Sequence, residues 1–418
     1  MDHDPGLAAL LRSYSDAGVR PFDAGAIAAS AIAAGGARRG GSSWRLGVAP
    51  WRARRVWRLA AIGLLLLAVA LAALVGAMRR ADPRPIAGSI AVSVYALDGQ
   101  GGVDAIRVIN PDGTGEIAFA STGHDAYPVW SPDGTLIAYT HHLNRGPVRV
   151  VNADGTGAHS ITDGYTSALP VTWSPDGRRI AFVVYPGAGA GSDGIFVVNV
   201  DGSGLTRITG AGGGVSRLAW SPDGSLIAFM ALGSGTVARE AYVHVVDPRT
   251  NVVTRVSDLP PVDEGDYAAP SWSTDGSRLL FAVTRSGDVS AGIVLAERKL
   301  NGWTDRLVVA GSNVTRDISP IWVDHDRFVF RRGTDRLLVS NADGSEQREL
   351  IRADFFERSA PCVAPDGSRV AVAMAQEDGA VRGELLIVPI DDAVTPRRIS
   401  TGPIDGDGPA CSWQPVRR

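Results

Sequence analysis

The chain has 418 residues, of which 45% are hydrophobic and 20% charged, with a formal net charge of −3. That balance excludes an acidic solvating tail, a strongly basic nucleic-acid binder and a chain too poor in apolar residues to fold. Fifty glycines and twenty-five prolines exclude a helical protein, and because they recur in a pattern they read as turns rather than disorder.

Taken in chain order, residues 1–56 form an Ala/Gly/Arg-rich segment without cysteine or a zinc-ligand set, read as a loosely structured cytoplasmic tail. Residues 57–79 follow as a transmembrane helix whose apolar run, Leu59 to Met78, contains no charged residue. Twenty residues at about 1.5 Å per residue match a hydrocarbon core of about 30 Å. Arg38, Arg39, Arg45, Arg52, Arg54, Arg55 and Arg58 precede the run, whereas Arg79, Arg80 and Arg84 follow it. The positive-inside rule therefore predicts a cytoplasmic N-terminus and an extracytoplasmic remainder, single-pass in the cell membrane. Residues 80–88 read as a Pro-containing linker.

From residue 89 onward the sequence is self-similar. PVWSPDGTLIAYT, beginning at Pro128, returns as VTWSPDGRRIAFVV, LAWSPDGSLIAFMA, PSWSTDGSRLLFAV, PIWVDHDRFVFRR and PCVAPDGSRVAVAM. Its tryptophan position falls at Trp130, Trp173, Trp220, Trp272, Trp322 and Val363, at intervals of 43, 47, 52, 50 and 41 residues. In each copy an apolar residue ends a short strand, S-P-D-G makes a tight turn, and an alternating strand follows. A third strand then runs into its own turn, as in VRVVNADGTG at 148–157, and a short fourth strand completes the unit. Four strands at this period predict a propeller blade.

Second strands are predicted near 90–95, 136–140, 180–184, 227–231, 279–283, 327–331 and 369–374. First strands are one short, because nothing suitable precedes Ile90. The missing strand is read in Pro409 to Trp413, which should join the first blade and close the ring. The fold class is therefore all-β: a propeller of four-stranded blades over 89–418, seven favoured and six with an irregular terminal sheet as the alternative.

The WSPDG-x-x-IAF unit with its N-x-D-G companion resembles the PD40, or WD40-like, β-propeller repeat of TolB propeller domains and prolyl-oligopeptidase-type propellers. The resemblance covers about residues 86–418 and is specific for fold rather than function. TolB carries a separate N-terminal α/β domain where this chain has a predicted membrane helix, so a TolB role does not transfer whole.

The two turn classes should lie on one face of the propeller, leaving the longer irregular loops on the other. Aromatic and charged residues on such loops are the candidate binding set: His124, Asp125, Tyr127, His141, His142, Tyr165, Asp266, Tyr267, Asp317, Phe355, Phe356, Asp405 and Asp407. Asp125 and Asp317 share the spacing D-x-x-P-x-W; the plainer reading of such an aspartate is a local hydrogen-bonding brace. Cys362 and Cys411 lack metal-type spacing. Two buried free thiols are the favoured reading, and a disulfide, permitted outside the cytoplasm, is the alternative.

The sequence points to a non-catalytic, membrane-tethered propeller of the bacterial cell envelope that recognises or scaffolds a protein, peptide or glycan, with a sensor as a variant of the same reading. No nucleic-acid partner, cofactor or metal is expected. No G-x-S-x-G elbow accompanies the propeller. The alternative is a metal-dependent, lyase-like carbohydrate-active enzyme on a seven-bladed propeller, drawing on His124, Asp125, His141 and His142.

Overall fold

The computed structural model describes the chain from residue 88, apart from 98–101, 120–124, 142–145, 166–170, 185–193, 210–214, 233–240, 260–268, 285–290, 312–314, 356–359, 375–383, 392–394, 400–410 and 416–418. The expected cytoplasmic tail and membrane helix lie outside the described residues. Among the described residues no helix is long and apolar enough to cross a membrane.

Strand formation follows the repeat. Among the described residues twenty-eight strands build seven four-stranded antiparallel sheets, which are the blades. Blade 2 is typical, with Ala126–Trp130 innermost, then Leu136–Thr140, Val148–Asn152 and His159–Ser160. Blades 3 to 7 repeat this order, their inner strands being Thr172–Trp173, Val215–Trp220, Ser271–Trp272, Asp317–Trp322 and Cys362–Val363. Blade 1 differs: its inner strand is Cys411–Trp413, paired antiparallel with Ile90–Leu97 through Ile90↔Trp413 and Val92↔Cys411. The C-terminal strand thus closes the first blade, and the expected seven blades are present rather than six.

Turn chemistry sets each hairpin. In blade 2 the Ser131 hydroxyl donates to Asp133 Oδ1 at 2.6 Å and accepts the Leu136 N–H at 2.9 Å. Gly134, at φ 67°, supplies the left-handed turn position that a β-carbon would strain. The same serine–aspartate pair recurs at Ser174 and Asp176, Ser221 and Asp223, and Ser273 and Asp275. The second turn class works similarly: Asp154 accepts from Thr156, Asp201 from Ser203 and Asp343 from Ser345.

Sheets alone do not make a ring; the core between them does. Seven principal hydrophobic clusters each bridge two neighbouring blades, for example Trp220 and Phe229 of blade 4 against Val183 and Ile195 of blade 3. The seventh packs Ile90, Val92 and Trp413 of blade 1 against Ala371 and Leu385 of blade 7. Non-directional burial of apolar surface thereby holds a circle of units, none of which could bury both its faces alone.

The repeated tryptophan contributes an inter-blade hydrogen bond as well as area. Trp173 Nε1 donates to Val129 O of the preceding blade at 3.0 Å, Trp272 Nε1 to Ala219 O at 3.0 Å, Trp322 Nε1 to Ser271 O at 3.1 Å and Trp413 Nε1 to Cys362 O at 2.9 Å. Trp130 Nε1 is buried without such a partner among the described residues. Trp173→Phe is therefore expected to cost about 1–2 kcal/mol more than Trp130→Phe, measured by denaturant unfolding of the two variants.

One sequence expectation is corrected. Cys362 and Cys411 are not free thiols but form a disulfide, with Cα atoms 6.0 Å apart. Ring closure explains it: blade 7 and blade 1 become neighbours only when the C-terminal strand docks, so the proximity of two inner-strand cysteines is invisible from their separation of 49 residues.

Candidate functional site

The inner strands surround the propeller axis, and their bulges decide what points inward. Pairing registers slip between Ala126 and Val129 in blade 2, between Ser216 and Leu218 in blade 4, and between Ile318 and Ile321 in blade 6. Within the bulges of blades 2 and 6, Tyr127 and Ser319 adopt φ of 57° and 54°, the left-handed region that non-glycine residues rarely occupy. Both positions belong to the D-x-x-P-x-W pattern, so the sequence motif marks a strained bulge.

The aspartate of that pattern braces the bulge. Asp317, fully buried, forms a two-pronged pair with Arg332, at 2.7 Å to Nε and 3.0 Å to Nη2. Burial pushes the Asp317 carboxyl up from the usual carboxylate range against the pull of Arg332. Asp125 holds the equivalent place in blade 2 and contacts His141 Nδ1 at 2.5 Å. The strand-end partner of the aspartate is thus a guanidinium in one blade and an imidazole in the other.

The remaining sequence-derived candidates divide cleanly. Tyr127 is buried, and its N–H donates to Ser93 Oγ at 3.1 Å. Tyr165 is partly buried and packs on Phe196, ring centroids 5.5 Å apart. Phe355 is buried, bridges to Met374 and lies under the Arg331 guanidinium at 5.5 Å. His124, His142, Asp266, Tyr267, Phe356, Asp405 and Asp407 lie outside the described residues. Among the described residues no three His, Cys, Asp or Glu side chains come together as a metal-binding group.

The structure adds a feature that the loop reading missed. The residue just before the tryptophan position faces a central cavity of about 440 Å³ in five blades: Val129, Thr172, Ala219, Ser271 and Ile321. This volume is that of a small-ligand or peptide-segment pocket. Pro222, Pro270, Pro361, Trp220 and Trp272 are also among the residues lining it. Arg217, only 4% exposed, is the one charged residue among the described residues lining it. The readable signal was positional: three places before the tryptophan position the other repeats carry Tyr127, Pro170, Ala269, Ser319, Ala360 and Ala410, and only blade 4 carries a charge.

The acidic side chains of the turns are occupied in holding those turns. Asp275 is held down to about 2, first by the Ser273 hydroxyl and then by the Ser277 N–H. Asp176 is lowered in the same way by Ser174 and the Arg178 N–H, and Asp201 by Ser203. A carboxyl lowered in the folded state stabilises it fully above its unfolded value of 3.8 and loses that contribution as pH falls towards about 2. Thermal melting followed by circular dichroism is therefore expected to show a stability plateau above about pH 4 and a steady decline below it, shallower in Asp275→Asn.

Residues 94–257 match the family described as the TolB beta propeller domain. The Tol-Pal system protein TolB of Gluconobacter oxydans is 42% identical over 74 residues, which is 18% of this chain and 16% of that protein. This chain therefore aligns with only about a sixth of the curated relative. Among solved structures, oligogalacturonate lyase from Vibrio parahaemolyticus superposes with a TM-score of 0.54 at 13% identity, covering 73% of this chain and 92% of that one. The propeller domain of the Trilobed protease from Pyrococcus furiosus gives 0.53 at 11% identity over 77% and 95%. Its ring is described as having an open velcro topology, whereas this one is closed by its C-terminal strand. These likenesses establish a β-propeller fold, TolB-like over residues 94–257, and no particular chemistry.

Proposed function

We propose that this chain is a non-catalytic recognition propeller of the cell envelope, held at the cytoplasmic membrane by Leu59 to Met78, with the propeller outside the cytoplasm. Its partner is a protein or peptide segment received at the propeller axis. The observation that carries this reading is the central cavity: residues in or just before the inner strands of six blades contribute to one wall rich in proline, alanine and aliphatic side chains. Such a wall suits apolar side chains and backbone better than a glycan, whose hydroxyls would require many more polar partners. The Cys362–Cys411 disulfide supports an oxidising compartment, and the likeness of residues 94–257 to the TolB propeller domain supports an envelope protein partner.

The metal-dependent lyase reading would recruit His124 and His142, outside the described residues, to the Asp125–His141 pair. Chelation separates the two. Full-length protein in detergent is expected to capture the same crosslinked envelope partner before and after chelator treatment, with no stoichiometric metal by elemental analysis. Stoichiometric metal together with chelator-sensitive turnover of an acidic polysaccharide would overturn the non-catalytic reading.

A further inference from the structure

The residue just before the tryptophan position is half-buried in every blade, and around the ring the series reads Ser412, Val129, Thr172, Ala219, Ser271, Ile321 and Cys362. Hydroxyls therefore stand in blades 1, 3 and 5, with an aliphatic side chain in each of blades 2, 4 and 6. Every hydroxyl accepts the backbone N–H of the next blade's tryptophan: Ser412 Oγ from Trp130 at 3.2 Å, Thr172 Oγ1 from Trp220 at 3.3 Å and Ser271 Oγ from Trp322 at 3.2 Å. Among the described residues none of the three gives its own O–H to a protein acceptor. The carbonyls of the same layer are in the opposite condition. Those of Val129, Ala219, Ser271 and Cys362 already accept the indole N–H groups of Trp173, Trp272, Trp322 and Trp413. Arg217 is already engaged within the protein. Thr172 and Ser271, both in the cavity wall, thus bring spare hydroxyl donors to a layer whose carbonyls are largely taken.

We propose that the cavity selects a proline-rich segment, its carbonyls accepting from Thr172 and Ser271 and its rings lying against Pro270, Pro361 and Ile321. This deepens the peptide-recognition reading above and rests on it. A prolyl residue brings a carbonyl and no N–H, which is the complement of a wall with donors to spare and few open acceptors. Any other residue would carry an N–H into an apolar site where the neighbouring carbonyls are engaged, and an amide buried unpaired costs affinity. The proline ring is itself apolar and suits the aliphatic members of the layer. A proline-rich segment is also extended before it binds, so it loses little conformational freedom on entry.

Calorimetric titration of the full-length protein in detergent tests this with two probes, acetyl-Pro-Pro-Pro-Pro amide and acetyl-Ala-Ala-Ala-Ala amide. The proline probe is expected to bind roughly tenfold tighter or better. Thr172→Val and Ser271→Ala each remove one hydroxyl and should weaken its binding roughly three- to tenfold. Thr172→Ser keeps the hydroxyl and should bind within about twofold of the wild type. Equal or tighter binding of the alanine probe by the wild type would overturn the proline assignment, and that comparison requires no variant to fold. Undiminished proline binding by folded Thr172→Val and Ser271→Ala variants would overturn the hydroxyl contacts. Absence of binding by both probes would count against the underlying peptide reading, and so against both.

Discussion

Replacing Cys362 and Cys411 together by alanine is expected to lower propeller stability by about 4 kcal/mol, the chain-entropy value for a loop of 49 residues. In a domain of this size that corresponds to a fall in Tm on the order of 6 °C. The cost arises because the disulfide restrains the blade that completes the ring. Cys411 lies on the three-residue strand Cys411–Trp413, which pairs with Ile90–Leu97 through three registers. Trp413 Nε1 and its contact to Cys362 O add one further tie to blade 7. A strand so short is held weakly by its own ladder, so the covalent link and the interblade core share the work of closure. Reduction of the wild type by a dithiol should reproduce the double variant's Tm. An unchanged Tm in both would show that the inter-blade core closes the ring unaided.

Asp317→Ala is expected to destabilise the fold by about 3 kcal/mol, read from denaturant unfolding, because it strips a buried partner from Arg332. The Asp317 side chain is 1% exposed and that of Arg332 is 22% exposed, so the arginine can recover some hydration and the lower end of the range applies. The loss also releases the bulge at Ser319, whose left-handed backbone persists only while its surroundings fix it. Asp317→Asn should cost less than half as much. Burial already pushes this carboxyl towards its neutral form, and an amide keeps the shape and one acceptor. If the alanine and asparagine variants were equally destabilised, the acid's charge rather than its shape and hydrogen bonding would be what the bulge requires.

The architecture was legible because each repeat carries its own turn chemistry. Ser131, Asp133 and Gly134 specify a hairpin locally, and the observed second strand of each blade falls within a residue or two of the predicted segment. Closure was legible by counting, since a first strand was missing at Ile90 and spare at Trp413. The disulfide was not, because cysteines 49 residues apart acquire proximity only from that closure. Reading loops as the binding face singled out Tyr127, Tyr165 and Phe355, but each ring packs into the protein, and aromatic character alone does not distinguish a contact surface from an inter-blade plug. Arg217 was overlooked for the converse reason. It stands inside the regular part of the repeat, where a motif search looks for scaffold, and only aligning the repeats against one another exposes the lone charge. The D-x-x-P-x-W aspartates were open to two readings, and the contacts of Asp317 with Arg332 and of Asp125 with His141 are those of a brace.

The account stands or falls on whether a partner enters the propeller axis. A photoreactive amino acid placed at Ile321, in the cavity wall, can be compared with one at Leu300, fully exposed on the third-to-fourth strand hairpin of blade 5, in full-length protein within intact envelopes. Irradiation is expected to give a discrete covalent adduct with an envelope protein from position 321 and none from position 300. Adducts from position 300 alone, or from neither Ile321 nor Ala360, a second lining residue, would contradict recognition at the axis.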